Sequence, residues 1–506
     1  ATLDMLFSVG GTAEVEDPFS PPEIEEPLAL APHAVAAAQL HGMSADADGI
    51  FRLEHNAWYV RCGLQVYRIA IGSARDTVAV IRPEGDSASP LFFLRRSPLS
   101  GLWQRIGLKG GEVVVEDPWV RLHVSSGGRS EVFKAVIGGY QKSFCYNLEQ
   151  NAFQVVAVNP QTRLWQIIDA RLYRPQANGM VLVEARLDAT NVERMATLKA
   201  LDMDVDLPMD FPLLPVEETT PVPAQIFSLW IGDQPIKPEL IRNLENNAQL
   251  ARRGARPFAL KLYLSSEHPE VFEQNRAALA ADAPTVEVID LERSAFYREF
   301  QNTPSFEQYR AAIDGNGGVA RNFSSASDVL RYPIMKYHGG LYMDLDDTLT
   351  EAWQGADIET SATGIAVNEP VSNNALGLEV GFNTSCFATQ QGNPLLEAIS
   401  AEMHARYLQN LDIYREPRPI AEGAMDQSFK TYMQRISHIC GPGLFNDVID
   451  QHLPHLRRLK MPYRLVSKAL LLSPDFRQHL LAVIERGSPL RRLVNIGSEH
   501  SWKTTR

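Results

Sequence analysis

From residue 223 onward the chain alternates apolar runs of strand length with longer polar stretches of helical pattern. "AQIFSLWIG" gives way to a polar helical segment, "FALKLYLSS" to another helix and "TVEVIDL" to more helix, and the series ends on "GLYMDLD". Such alternation predicts an α/β sheet of mostly parallel strands whose ligands gather at the carboxyl ends. Trp230 closes the first of these strands and Asp344 and Asp346 close a later one. Both ends are expected to face one crevice.

The pattern upstream is different. Between about residues 47 and 175, runs such as "AWYVRCGLQVYRIAI", "DTVAVIR", "EDPWVRLHV" and "AFQVVAV" are separated by Gly, Asn, Asp and Ser, which predicts a small β-rich module. Within it "SPLSGLWQRI" (97–106) and "NPQTRLWQII" (159–168) resemble each other and suggest two copies of one unit, each with a core Trp. A helix over "TNVERMATLKALDM" closes the module. The following "DVDLPMDFPLLPVEETTPVP" is acidic, Pro-rich and aperiodic, as a linker is. The expected organisation is an extended or helical arm over 1–46, the β-rich module over 47–203, a linker over 204–222 and the α/β domain over 223–506.

Composition narrows the function classes. A chain of 506 residues is too long for one hydrophobic core, and 45% hydrophobic with 22% charged residues is ordinary globular usage. The net charge of −13 comes from scattered acids, without a Lys/Arg-rich run or a basic-aromatic stripe, so nucleic acid is not an expected partner. Cys62, Cys145, Cys386 and Cys440 lie far apart without metal-type spacing and read as small buried side chains. No run approaches the roughly 20 apolar residues of a membrane span, and no signal segment is recognisable, so a soluble protein is expected. The opening "ATLDMLF" lacks a Met, which leaves a processed product or a piece of a longer protein open.

The acids carry the chemistry. "GGLYMDLDDTLT" (339–350) sets Asp344, Asp346 and Asp347 behind a short apolar run. Taken alone, "DLDDTLT" resembles the D-x-D-x-T signature of haloacid-dehalogenase-type phosphatases. That would make Asp344 an aspartyl nucleophile and Asp346 a general acid/base, with Mg²⁺ at the phosphate. Such an enzyme also needs a downstream Lys and an acidic pair. Here the first Lys after the motif is Lys430, and the pair Asp447 and Asp450 lacks the usual glycine context.

A longer stretch carries more weight. "FSSASDVLRYPIMKYHGGLYMDLD" (323–346) resembles the S-D-x-x-R-Y…G-G-x-Y-x-D-x-D block of DXD glycosyltransferases. This sugar-binding superfamily includes the large clostridial glucosylating toxins and the Och1-like mannosyltransferases. Locally, Ser324, Ser325 and Ser327 offer an N-cap, and Asp328 and Arg331, three apart, share one helix face. Pro333 would kink that helix, whereas Gly339 and Gly340 end it and allow a tight turn. Alternation points Asp344 and Asp346 to one side of the strand with Leu345 behind. Asp347 is expected to be a solvated turn carboxylate.

The resemblance covers about 223–506 and implies a GT-A (Rossmann-like) glycosyltransferase domain using Mn²⁺ or Mg²⁺. By resemblance Asp346 touches the metal, while Asp344 binds ribose or sugar hydroxyls and supports the metal. "PAQIFSLWIGDQPIKPELIRNLENN" (223–247) is similar to the opening strand whose Trp, here Trp230, stacks on the base. Asp328 and Arg331 would bind the donor, with Arg331 also in the catalytic set. "NALGLEVGFNTSCFATQQGNPLL" (374–396) is similar to the stretch lining the donor sugar and supplies Asn383. "GPGLF" (441–445) resembles a T-G-P segment with Cys440 in place of the Thr. "SEHSW" (498–502) resembles the closing segment, which makes Ser501 and Trp502 donor-binding and His500 a metal ligand.

The function implied is metal-dependent transfer from a nucleotide sugar, UDP-glucose or UDP-N-acetylglucosamine, to a hydroxyl acceptor with retention of configuration. A chain without a membrane span suits the toxin and effector branch, with a host protein as acceptor and the host cytosol as the place of action. The alternatives are the phosphatase above and an inactive binding module.

Overall fold

The computed structural model describes residues 34–106, 122–123, 133–209, 217–353, 358–373, 378–420 and 427–497, less short gaps inside the first, third and last of these spans. The described residues divide into two compact units, one of 217–460 with 484–497 and the other of 34–209 with 461–483. The segment 461–483 thus groups with the β-rich unit, a division that contiguous boundaries do not anticipate.

The β-rich unit carries two sheets, the first antiparallel throughout and the second antiparallel but for one strand. A six-stranded meander runs from Phe51–Leu53 through Ala57–Cys62, Gln65–Ile71, Thr77–Val80 and Phe92–Arg96 to Trp103–Ile106. Val60, Ile69, Val78, Val80 and Leu94 alternate inward on it, and Trp103 lies buried among them with its Nε1 donating to the Gly49 carbonyl. The second Trp segment forms the strand Leu164–Ile167 in a separate eight-stranded sheet. In that sheet Leu470–Leu471, from the returning segment, pairs parallel with Tyr146–Asn147, and Leu465, Leu472, Phe476 and Leu480 join Phe144, Tyr146 and Phe153 in the core.

The closing helix forms as Asn191–Ala200, started by a capping box between Thr190 and Glu193. The stretch after it is not an aperiodic linker throughout. Met203, Val205, Leu207 and Met209 are buried in the core of this unit while Asp204, Asp206 and Pro208 are exposed. Every second residue is apolar there, and the acids between them obscured the period.

The α/β unit is built as its pattern predicts. The elements that position the site are β1 (Gln225–Trp230), α1 (Pro238–Ala251), β2 (Ala259–Leu264), β3 (Glu287–Asp290), α2 (Phe323–His338), β4 (Gly340–Met343), β5 (Thr348–Leu349), β6 (Cys386–Thr389) and β7 (Val494–Asn495). The main sheet has the order β3-β2-β1-β4-β6 with Ala366–Val367 at its edge. Pairing is parallel from β3 to β4, and β6 runs antiparallel to β4. The chain therefore steps outward from β1 to β3 and then returns to the other side of β1. Sheets of this kind bind ligands at such a switch point, outside the carboxyl ends of the flanking strands. Trp230 ends β1 and Asp344 follows directly on β4.

Behind the sheet, Ile226, Leu260, Leu262, Leu341 and Met343 pack with Ile241, Leu244 and Ala248 of α1. His338, in the last turn of α2, stacks on Phe227 at 4.3 Å between centroids and lies 2.6 Å from the Tyr263 hydroxyl. Burial, with Lys261 adding to it, pushes the imidazole down to about 4. Between that value and 6.5 the unfolded chain binds a proton that the folded chain does not, so stability falls as pH drops through this window. His338→Phe should flatten that part of the slope. Denaturant midpoints of both proteins between pH 7 and pH 4.5 check it, and equal slopes would refute the assignment.

Candidate active site

Helix α2 positions the first half of the site. Its N-cap is Asn322 rather than one of the serines: the Asn322 side chain accepts the Ser325 N–H at 2.9 Å. Ser325 is buried instead, in contact with the Tyr414 hydroxyl and 3.1 Å from Cys440 Sγ. Ser327 donates back to the Phe323 carbonyl. Pro333 lies inside the helix, which continues to His338. Gly339 and Gly340 follow at φ 67° and 109°, and a Cβ on Gly340 would meet the Gln225 carbonyl oxygen at 2.4 Å.

One turn apart on this helix, Asp328 and Arg331 form a buried pair at 2.8 Å. The guanidinium also donates to the Thr384 carbonyl at 2.7 Å, lies 4.9 Å from the Tyr342 ring centre and approaches the Asp344 carboxylate at 3.8 Å. Its Nε is buried and has no hydrogen-bond partner among the described residues. Burial pushes Asp328 up to about 7, against the lowering effect of Arg331 and with the Asp344 charge adding to the rise. Cys440, where the resemblance expects a Thr, sits 3.8 Å from the Asp328 carboxylate.

The acids do not extend a strand. β4 stops at Met343, and Asp344 to Asp347 form a turn in which the Asp347 N–H donates to the Asp344 carbonyl. Leu345 faces the core as expected. Asp344 and Asp346 are partly exposed, and Asp344 accepts the Tyr342 hydroxyl at 3.0 Å. Asp347 is the correction: it is 0% exposed, not a solvated turn carboxylate. Its Oδ1 accepts the Gly497 N–H at 2.9 Å, and its Oδ2 accepts the Asp344 N–H at 3.3 Å, a donor shared with the Ser385 carbonyl. Burial, followed by the charges of Asp344 and Asp346, holds its carboxyl well above the usual carboxylate range.

The remaining expected residues divide. Trp230 is half-buried at the end of β1, and its Nε1 donates to the Gln234 carbonyl at 3.2 Å. Asn383 makes an Asx turn, its Oδ1 accepting the Ser385 N–H at 2.7 Å, beside the Thr384 that binds Arg331. His500, Ser501 and Trp502 lie outside the described residues. Among the described residues no group of three or more His, Cys, Asp or Glu side chains is arranged to hold a metal, and no helix is long and apolar enough to cross a membrane.

Sequence reasoning passed over Tyr342, Thr384, Asn243 and Asn247. Tyr342 is two residues before Asp344 on the strand side of the motif, a period-2 signal that was available. Asn243 and Asn247, four apart on α1, both donate to the Asp347 carbonyl at 2.8 Å, and Asn243 also reaches the Leu345 carbonyl. Two amides at helical spacing on a face that otherwise carries Leu244 and Ala248 inward were the available sign.

Residues 269–361, which contain the Asp328–Arg331 pair and the acid turn, match the family described as "Glycosyltransferase sugar-binding region containing DXD motif". Among curated proteins the chain is similar to "Toxin Afp18" of Yersinia ruckeri, 22% identical over 307 residues, covering 56% of this chain and 13% of that protein. It is also similar to a protein named "Toxin" from Photorhabdus asymbiotica, 22% identical over 251 residues, covering 47% of this chain and 7% of the other. The chain thus spans only a small part of the length of these relatives. Among solved structures it is similar to "PaToxG Glycosyltransferase", at 19% identity and a TM-score of 0.37 over 54% of this chain and 88% of that one. The match to a glycosyltransferase sugar-binding region with the DXD motif is thus confined to residues 269–361, and the curated proteins to which the chain is similar are named as toxins of bacteria.

Proposed function

We propose that residues 223–506 move a sugar from a nucleotide sugar, UDP-glucose or UDP-N-acetylglucosamine, to a hydroxyl of a host protein, with Mn²⁺ or Mg²⁺ as cofactor. The observation that carries this reading is the meeting, at the sheet's switch point, of a part-exposed acid pair with the buried Asp328–Arg331 pair. The donor set suits a hard divalent cation. Asp344 and Asp346 present carboxylate oxygens at a turn that the buried Asp347 carboxyl ties to the Asp344 N–H. Such ions are commonly held by one or two carboxylates together with substrate phosphates.

When bound, the cation offsets charge on the departing diphosphate. In this reading Asp346 is the direct ligand, and Asp344, braced by Tyr342 and facing Arg331, supports it and takes ribose or sugar hydroxyls. Trp230 offers its ring to the base, Asp328, Arg331 and Asn383 flank the donor sugar, Ser501 and Trp502 complete the donor side, and His500 is a further metal ligand. No described side chain here stands out as an enzyme nucleophile, so acceptor attack from the face that the diphosphate leaves, with retention, is the favoured course. The toxin relatives support a host-protein acceptor and action in the host cytosol.

The test is release of UDP from a panel of nucleotide sugars with Mn²⁺, with Mg²⁺ or with chelator. Metal-dependent release from one donor is expected, with the released or transferred sugar keeping its anomeric configuration by NMR. Inversion would overturn the retention course. Silence on every donor, with turnover of a generic phosphate monoester, would overturn the transferase reading.

A further inference from the structure

The acid turn is held from two distant parts of the chain. On one side α1 offers Asn243 and Asn247, which donate to the Leu345 and Asp347 carbonyls and accept from the Thr348 hydroxyl and the Leu349 N–H. On the other side the segment 493–497 runs alongside. Thr348 and Leu349 of β5 pair with Asn495 and Val494 of β7, and the Thr350 N–H donates to the Leu493 carbonyl. This ladder ends where Gly497 reaches the acids. A Cβ on Gly497 would lie 2.4 Å from the Asp346 carbonyl oxygen and 2.5 Å from its carboxylate carbon. The glycine backbone therefore rests directly on the Asp346 side chain, and its N–H is taken by Asp347.

We infer that Asp347 is a positioning residue, holding the Asp344–Asp346 turn in register with the 493–497 segment so that both exposed carboxylates keep the geometry a divalent cation needs. The physical reason is the division of labour at its carboxyl. One oxygen fixes Gly497, which packs on Asp346, and the other reaches the N–H of Asp344. A single buried side chain thus touches the backbone beneath one exposed acid and the glycine that confines the other. A buried carboxylate kept so far from water without such duties would only cost stability. The inference rests on the metal-dependent reading of the site, but the joint itself is a feature of this chain's own residues.

The experiment compares wild type with Asp347→Asn, Gly497→Ala and the double variant. Asn keeps the shape and one acceptor but turns an N–H toward a backbone N–H. Three readouts are taken: amide exchange at Gly497 relative to Leu349, the dissociation constant of Mn²⁺ alone, and the separate kcat and KM for the donor. In Asp347→Asn the Gly497 amide is expected to exchange faster while Leu349, held by Asn247, does not. Mn²⁺ binding is expected to weaken by about tenfold or more, as for loss of a group that orients a metal ligand. The two single changes should combine to less than the product of their effects, because they break one joint. A purely structural role would lower the unfolding midpoint and leave Mn²⁺ affinity alone. Unchanged Gly497 exchange, or unchanged Mn²⁺ affinity alongside Mn²⁺ binding in wild type, would overturn the inference. Failure of wild type to bind Mn²⁺ would instead overturn the metal-dependent reading and, with it, this role.

Discussion

Exchanging both exposed acids, Asp344→Asn with Asp346→Asn, should lower donor turnover by about a thousandfold or more, since removing one preorganised charge-stabilising group alone typically costs about 10²–10³. The change should leave the fold intact. Both side chains are partly exposed, the isosteric amides keep an acceptor for Tyr342, and removing two negative charges relieves the crowding around Asp347. Unfolding midpoints within a few degrees of wild type, with UDP release at background, is the expected pair of results. Turnover that survives the double change would remove these carboxylates from the reaction.

The second large effect is on the buried pair. Arg331→Ala should destabilise the protein by about 3–5 kcal/mol, because it leaves a buried carboxylate without its partner. Asp328 is already held near 7 with the guanidinium 2.8 Å away. Without the arginine, burial acts on it unopposed and its folded-state pKa rises further above that of the unfolded chain. A raised carboxyl contributes stability that is present at low pH and lost as pH rises. Below about 7 both proteins keep Asp328 protonated and lose it in parallel, so the deficit should widen between pH 6 and pH 9, where the wild-type carboxyl ionises beside its guanidinium and the variant's does not. Adding Asp328→Asn should recover part of the loss, because the charge that needed neutralising is gone. Denaturant titrations of the single and double variants at both pH values decide it. A loss below about 1 kcal/mol would mean that the pair contributes no more than an exposed one does.

Much of this site was legible because its signals are local. The strand–helix alternation after residue 223 carries the parallel sheet, and the three-residue spacing of Asp328 and Arg331 carries their pairing. Gly339 and Gly340 mark the turn into β4, where a Cβ would strike backbone. The features that stayed hidden depend on partners far away in sequence. Asp347 reads as a polar turn residue in "DLDDTLT", and it is buried only because Asn243 and Asn247 arrive about a hundred residues earlier and Gly497 one hundred and fifty later. The N-cap was misplaced because Asn322 precedes the serine-rich stretch and Ser325 is drawn inward by Tyr414 and Cys440. In the supposed linker, the residues before 210 pack by alternation, a period that Asp204 and Asp206 mask.

The pairing of Leu470–Leu471 with Tyr146–Asn147 also sets an order of events when the chain is made. Synthesis proceeds from the amino end, so the β-rich unit leaves the ribosome with that strand edge unpaired and the places of Leu465, Leu472, Phe476 and Leu480 in its core empty. It stays in that state while about 250 further residues, including the whole acid turn, are translated. Contacts this distant in sequence form late, and until they do an open edge beside exposed apolar side chains is a template for association with other chains.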